Sequence, residues 1–425
     1  MTGVATRWSV DQVLALAPDV SSGRAARAAV AARRWQAAGT DEGELVWGRY
    51  LGSGATAYQT IVELSGPAFR CSCPSRKVPC KHALGLLLRW AGGAVGPGDP
   101  PDWVLDWTAT RAKRAGRAPG ESAGPNPATV ARRAERIAGG LEELDRWLED
   151  QVRAGVAGLT TAGYGPFDAL AARLVDAQAP GAAALVRRLA GAAVSGSVER
   201  LVTELGLLRL LVRGYQRLDR LPPGLAATVR SRVGLPVSTA EVLAGPRVRD
   251  RWAVVGMRDE SDEQLTTRRV WLRGCDTGRP ALVLSFAPVG QALPAELLVG
   301  TTVDAQLCFY PGAVPLRALV AVRGELGPPT APRADSIGAA LRGYAEALAG
   351  DPWLERWPML LAAVVPTTTA LVEEDRTALG LDLRVGGSWR LIAAAGGRPC
   401  RVMCEYGPAG ARALTAWIEG RLVQP

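Results

Sequence analysis

Apolar and polar positions change their period several times along the chain, and each change marks a change of element. Val10, Val13, Leu14 and Leu16 recur at helical spacing, with Ser9 and Gln12 placed as a capping box and Pro18 as the stop. An Ala/Arg-rich helix is predicted over about 22–36, closing near Trp35. The period then drops to two. Trp47, Arg49 and Leu51 alternate with Val46, Gly48 and Tyr50, and beyond "GSG" Tyr58, Thr60, Val62 and Leu64 alternate with Gln59, Ile61 and Glu63. This predicts two strands joined by a Gly-rich turn. After Pro67 a short strand through Phe69 carries Cys71 and Cys73, and "HALGLLLRW" reads as a buried helix.

Residues 91–127 are rich in Pro and Gly and read as a linker, with Trp103 and Trp107 four apart on one helical face. From about 128 to 233 the spacing is helical again, as in Val130, Ile137, Leu141, Leu144 and Leu148, and predicts a helical bundle. Beyond "GLPVST" strand-like runs dominate, such as "RWAVVGMRDE" and "TTVDAQLCFY". A further helix is expected near 335–362, followed by a strand-rich unit ending in a helix over 408–422. The fold class is therefore α+β and multi-domain. The expected divisions are an N-terminal module over 1–96, a linker over 97–127, a helical region over 128–235 and a mixed strand and helix region over 236–425.

Charge adds an asymmetry to this outline. The net charge is +9, but residues 1–126 carry 15 basic and 10 acidic side chains, 127–235 carry 15 and 11, and 236–425 carry 20 and 20. The basic excess sits in the front half. No long uninterrupted apolar run and no basic-then-apolar start is visible, so neither a membrane span nor a secretory signal is expected. Seven cysteines, an odd number with four far from the rest, argue against a disulfide framework and for a reducing cytoplasm.

The densest chemistry lies in "RCSCPSRKVPCKH", residues 70–82, which holds three cysteines and the only histidine. Structural zinc sites favour four tetrahedral thiolate and imidazole ligands, and Cys71, Cys73, Cys80 and His82 form such a set. On a strand, residues two apart share a face, so Cys71 and Cys73 converge; Pro74 and Pro79 return the chain to Cys80 and His82 at a helix entry. One structural zinc ion is the expected cofactor. Three thiolates leave the site at about −1. Arg70, Arg76, Lys77 and Lys81 flank it, and no acidic residue occurs from Leu64 to Gly98. A redox reading is weaker, because a CxC pair makes a strained disulfide. A catalytic zinc would need an open position that this local shell does not leave.

These residues resemble the CxCx(n)CxH signature of the SWIM zinc finger. "RWSVDQVLALAPD", "WGRYLGSGATAYQTIVELSGPAFRCSCPSRK" and "CKHALGLLLRW" are similar to bacterial SWIM zinc-finger proteins over about residues 5–110. The resemblance implies a β-hairpin followed by a helix, zinc ligation by Cys71, Cys73, Cys80 and His82, and a role in binding DNA or protein. SWIM modules occur in SWI/SNF-type ATPases, transposase-like proteins and recombination-associated factors. No P-loop accompanies this one, since none of the three lysines follows a glycine.

Two partners remain open at this point. Arg70, Arg76, Lys77, Lys81 and Arg89, with Arg111, Lys113, Arg114 and Arg117, could grip nucleic acid, DNA in preference, while Tyr50, Tyr58 and Phe69 offer ring faces. The same cations could instead balance the thiolates around a protein-binding scaffold. A continuous positive face at Arg76, Lys77 and Lys81 favours nucleic acid, and an exposed apolar patch favours protein. Trp103 and Trp107 are expected to staple the linker onto its own domain, "VEEDR" to form a turn, and Cys400 and Cys404 to pack as small hydrophobes. With His82 assigned to zinc, no histidine is left for a Ser-His or Cys-His relay. The expected function is non-catalytic binding, with a hydrolase in the C-terminal region as the less favoured alternative.

Overall fold

The computed structural model describes residues 8–425 apart from 9, 18–19, 42–44, 53–56, 65–67, 76, 78, 116–126, 262–264, 290–292, 295, 328–331 and 385–387. The capping residue Ser9, residues 53–56 of the Gly-rich turn and residues 116–126 of the expected linker therefore lie outside the described residues.

The N-terminal module opens with α1 (Val10–Ala15) and α2 (Val20–Ala29). The helix expected over 22–36 stops at Ala29, and Trp35 instead begins β1 (Trp35–Thr40). The Trp35 indole donates to the Ala29 carbonyl at 2.7 Å, which fixes the chain's exit from the helix. Then come β2 (Leu45–Tyr50), β3 (Tyr58–Glu63), β4 (Ala68–Cys71) and α3 (Lys81–Ala91). The four strands pair antiparallel in the order β1-β2-β3-β4, with the β2–β3 hairpin as the alternation predicted. One face of the sheet carries Trp35, Val46, Tyr50 and Val62, and packs on α2 and α3. Nearly every side chain of α3 is buried. Gly85 permits this depth, because a Cβ there would meet the Ala29 Cβ at 2.9 Å.

Residues 97–127 were expected as a linker, and the structure corrects this: they hold the 14-residue helix α4 (Asp102–Ala115). Its Val104, Trp103 and Trp107 pack on Leu45, Trp47 and Ile61, the opposite face of the same sheet. The tryptophan pair thus staples the segment onto its own module, and β2 is buried from both sides.

The helical region comprises α5 (Pro127–Ala154), α6 (Ala157–Thr161), α7 (Gly165–Asp176), α8 (Pro180–Val194), α9 (Val198–Tyr215), α10 (Pro223–Val233) and α11 (Thr239–Leu243). The spacing read from the sequence is the core itself: Ile137, Leu141, Leu144 and Leu148 are buried against Phe167, Leu189, Leu208 and Val229. Val130 lies outside that stripe, at 50% exposure.

Beyond α11 the chain builds two sheets. Strands β5 (Arg247–Ser261), β6 (Leu265–Gly274), β7 (Pro280–Pro288), β8 (Thr302–Phe309) and β9 (Arg317–Gly327) close a barrel in the order β5-β6-β7-β9-β8. Only the β7–β9 pairing is parallel. This is the strand order of an OB-type Greek-key barrel. Next come α12 (Ile337–Gly350), β10 (Trp357–Pro366), β11 (Ala370–Val372), β12 (Ala378–Gly380), α13 (Ser388–Ala395), β13 (Cys400–Gly407), β14 (Gly410–Ile418) and β15 (Arg421–Val423). They build a six-stranded sheet in the order β12-β11-β10-β13-β14-β15.

Two sequence expectations fail here. The helix placed over 335–362 ends at Gly350, and residues 357–366 form a strand that pairs with β13 and, at its end, with β11. The helix placed over 408–422 is a hairpin of β14 and β15. Its two-residue turn is Glu419-Gly420, with φ of +48° and +76°, the mirror-image turn that favours hairpins. Alanine-rich strands such as "GARALTAWI" resemble helices in composition, and cross-strand pairing decides against helix.

Buried contacts join these parts. Trp353 sits in the core of the helical bundle, and its indole donates to the Leu207 carbonyl at 3.0 Å. Trp271, on the outer barrel face, donates to Glu405 of β13 at 2.7 Å. The outer faces of β5, β6 and β7 pack on β13, β14 and α12 through Val255, Leu282, Met403 and Leu414. In OB-type barrels the second and third strands present the ligand-binding face; here the C-terminal part of the chain covers that face at Trp271 and Leu282, while Phe286 of β7 is 50% exposed. Among the described residues no helix is long and apolar enough to cross a membrane.

Candidate metal centre

Each ligand is placed by a different device. Cys71 closes β4, opposite Thr60 of β3. The sequence places Cys73 on the same strand, but the strand ends at Cys71 and Cys73 stands in the bend beyond it. Ser72 pins that bend: its amide donates to the Gln59 carbonyl at 3.0 Å, and its hydroxyl accepts from the Gln59 amide at 2.9 Å. The two sulfurs therefore converge through a turn rather than through the pleat. Cys80 is the N-cap of α3, and His82 lies in the first turn of that helix.

The four donor atoms lie within 4.8 Å of one another. A tetrahedral zinc with bonds of about 2.3 Å to sulfur has ligand–ligand edges of about 3.8 Å, and Cys71 Sγ stands 3.8 Å from His82 Nδ1. Three thiols and one imidazole, all contributed within a dozen residues, fit one zinc ion in a closed structural shell. Such an ion would fix the turn after β4 to the start of α3.

The outer surround is as specific as the shell. Thr60, fully buried, has its hydroxyl 3.2 Å from Cys71 Sγ, a contact that orients the ligand and tunes its charge. The His82 ring lies between two tyrosines, 4.3 Å from Tyr50 and 5.2 Å from Tyr58 by centroid, the latter stacked at 28°. Tyr50 in turn meets Trp35 edge-on at 5.1 Å. Tyr50 and Tyr58, expected to offer faces to bases, thus spend those faces on the imidazole. Phe69 packs into the core under the finger.

The thiols are unequal. Cys71 is pushed up to about 12, first by its hydrogen bond with Cys80 and then by burial. Burial also raises Cys73. Cys80 goes down, chiefly because Cys71 donates to it, against the opposing effect of burial. Three neighbouring thiolates repel one another, and a divalent cation is what allows all three to ionise.

The basic residues separate into groups. Lys77 and Lys81 are exposed beside the ligands, and Lys77 Nζ reaches Ser21 Oγ of α2 at 3.5 Å. Arg70 pairs across the sheet with Ile61, on the side that faces α4, so it is turned away from them. Arg89 donates to the carbonyls of Val30 at 2.9 Å and Ala94 at 3.1 Å, and acts as a brace between α3 and the end of α2. Arg76 and Arg117 lie outside the described residues, as do the side chains of Arg111, Lys113 and Arg114.

Beside the shell a cleft of about 560 Å3 opens between α2, the β2–β3 hairpin and the loop that joins the ligands. Arg34, Lys77 and Lys81 line it together with Ser21, Ser75 and Tyr58, and Cys73 and His82 form part of its wall. Among the described residues no acidic side chain lines it. Arg34 and Ser21 were missed by the sequence reading. The signal was present, because residues 20–40 contain no acid and four arginines, but only the fold brings that segment against the finger.

The geometry therefore defines a zinc-binding module of β-sheet and helix, closed at the metal and open beside it. Family comparison agrees: the SWIM zinc finger model matches residues 69–91, and the SWIM-associated four-helix bundle domain model matches residues 132–233. The chain carries a SWIM zinc finger followed by the helical bundle associated with it. Comparison with curated proteins and with solved structures gave no match.

Proposed function

We propose that the zinc-stapled module is a non-catalytic nucleic-acid-binding unit, with DNA as its partner, working in the cytoplasm. One observation carries this reading: Arg34, Lys77 and Lys81, drawn from two acid-free stretches of sequence, converge on a single cleft with no acidic lining among the described residues. Cations in that density exceed what one excess negative charge on the zinc shell requires. They are arranged to meet phosphate, whose neutralisation dominates such binding. Zinc has a structural part, contributing on the order of 10–16 kcal/mol to the local fold. His82, the chain's only imidazole, belongs to the ligand set and not to a proton relay.

Gel-shift titration of zinc-loaded full-length protein at rising salt tests the reading. Binding at 50 mM salt should weaken linearly in log–log terms, with a slope of about −0.9 for each phosphate neutralised on duplex DNA. Lys77→Glu with Lys81→Glu should abolish it while zinc content stays at one per chain. No affinity at 50 mM salt in the wild type defeats the proposal and favours a protein-binding scaffold.

A further inference from the structure

A duplex lies along a surface and presents its phosphates one by one, whereas the basic residues here surround a hollow. At about 560 Å3 the cleft falls within the range of roughly 300–1,000 Å3 in which small-molecule sites lie. That is far more than a bare phosphate needs and enough for a whole nucleotide. A nucleotide paired in a helix cannot enter it without leaving its partner, and extracting a stacked base costs a few kcal/mol.

We infer that the cleft takes one unpaired nucleotide, held by its phosphate, so that the nucleic acid recognised by this finger is single-stranded or frayed where it meets the zinc module; this rests on the nucleic-acid reading above. Three observations converge. Lys77 Nζ, from the loop between the ligands, donates to Ser21 Oγ of α2 at 3.5 Å. This is longer than an ideal hydrogen bond, and it is a place where a phosphate oxygen would accept from both. Arg34 and Lys81 line the same cleft, so cations from three separate segments share its lining. Ser22, Ser75 and Tyr58 also line the cleft and carry hydroxyl groups, which suit a sugar whatever the base. Zinc ligation positions part of this lining directly, since Cys73 and His82 belong to both the shell and the cleft. Lys77, between the ligands, is thereby tied to α2 and serves the cleft as well as the metal.

Fluorescence anisotropy on zinc-loaded full-length protein tests the inference with four probes: a 5′-phosphorylated single-stranded DNA 12-mer, its 5′-hydroxyl form, the blunt duplex of the same sequence, and inorganic phosphate as competitor. The single strands should bind at least tenfold tighter than the duplex. Arg34→Glu should remove that preference with zinc retained, while Arg70→Glu, which faces away from the cleft, should leave the ratio unchanged. A phosphorylated strand that outbinds its hydroxyl twin places a strand end in the cleft, and equal binding places an internal nucleotide there; both support the inference. Displacement of the strand by millimolar phosphate marks the cleft as a phosphate seat. Equal affinity for single strand and duplex, with Arg34→Glu no worse than Arg70→Glu, overturns the inference and leaves the nucleic-acid reading standing. Absence of binding to every probe defeats both.

Discussion

The ring of His82 lies 4.3 Å from the ring of Tyr50, tilted by 36°. Tyr50 ends β2 and His82 lies in the first turn of α3, so this contact joins the hairpin to the helix independently of any metal. Tyr50 is 7% exposed and belongs to the core beneath the finger. Tyr50→Ala should destabilise the N-terminal module by about 3–5 kcal/mol, the usual cost of emptying an aromatic site. It should also speed zinc loss to a chelator; thermal melts and chelator competition measure the two effects.

Purified protein should contain one zinc per chain. Cys80→Ala or His82→Ala should lose the metal and unfold the turn between β4 and α3, since metal binding and local folding are one process. Metal analysis with near-UV circular dichroism reports both. Zinc uptake should release protons, because Cys71 and Cys73 hold theirs more tightly than a free thiol does. Apparent affinity should therefore fall as pH is lowered.

Thr60→Val keeps the volume at Thr60 but removes the hydroxyl 3.2 Å from Cys71 Sγ. Loss of an outer contact of this kind weakens metal affinity by about 10–100-fold. Competition against a zinc-sensitive dye should show that loss with the fold intact. Unchanged affinity would mean that the hydroxyl has no part in holding the ligand.

Asp250 locks a barrel turn: it accepts from the amides of Asp276 at 3.1 Å and Thr277 at 3.0 Å, and from the Thr277 hydroxyl at 2.6 Å. Burial works to raise its carboxyl, and these donors outweigh burial, leaving it below the usual carboxylate range. A lowered folded value stabilises the protein fully above the unfolded value of about 3.9 and is lost as pH falls further. Asp250→Asn should cost about 1–3 kcal/mol at pH 7. Urea titrations should show the gap from wild type closing towards pH 3.

Glu405, 3% exposed at its side chain, pairs with Arg269 at 3.0 Å and Arg258 at 3.2 Å while accepting from Trp271. Removing its charge takes the carboxylate from largely buried Arg269, while Arg258 keeps Glu260. Glu405→Gln should destabilise the junction of barrel and C-terminal sheet by about 1–3 kcal/mol. Guanidinium unfolding should give a lower midpoint, and a second transition if the junction opens first.

Legibility in the sequence tracked how local each interaction is. The ligand spacing, the β2–β3 alternation and the leucine stripe of α5 depend on neighbours a few residues away, and all three stand in the structure. Failures came where composition and pairing disagree. "GARALTAWI" is rich in helix formers, and β13 makes it a strand; Trp35 was placed in a helix, and β2 claims it for the sheet. The Pro/Gly-rich segment after α3 concealed α4, whose helix gains from packing Val104 and two tryptophans on a sheet far upstream.

By itself the sequence determined the donor set, because all four candidate ligands fall within twelve residues. It also determined that the front half is basic and the middle helical. Tertiary structure decided which basic residues act together. Arg70, beside the first ligand, is turned to the other face of the sheet by the pleat, while Arg34, far upstream of the ligands, lines the cleft because α2 packs on α3. It decided, too, that part of the barrel's outer face, at Val255, Trp271 and Leu282, is covered by the C-terminal sheet. Those outcomes depend on burial between segments distant in sequence, and no local period records which faces will meet.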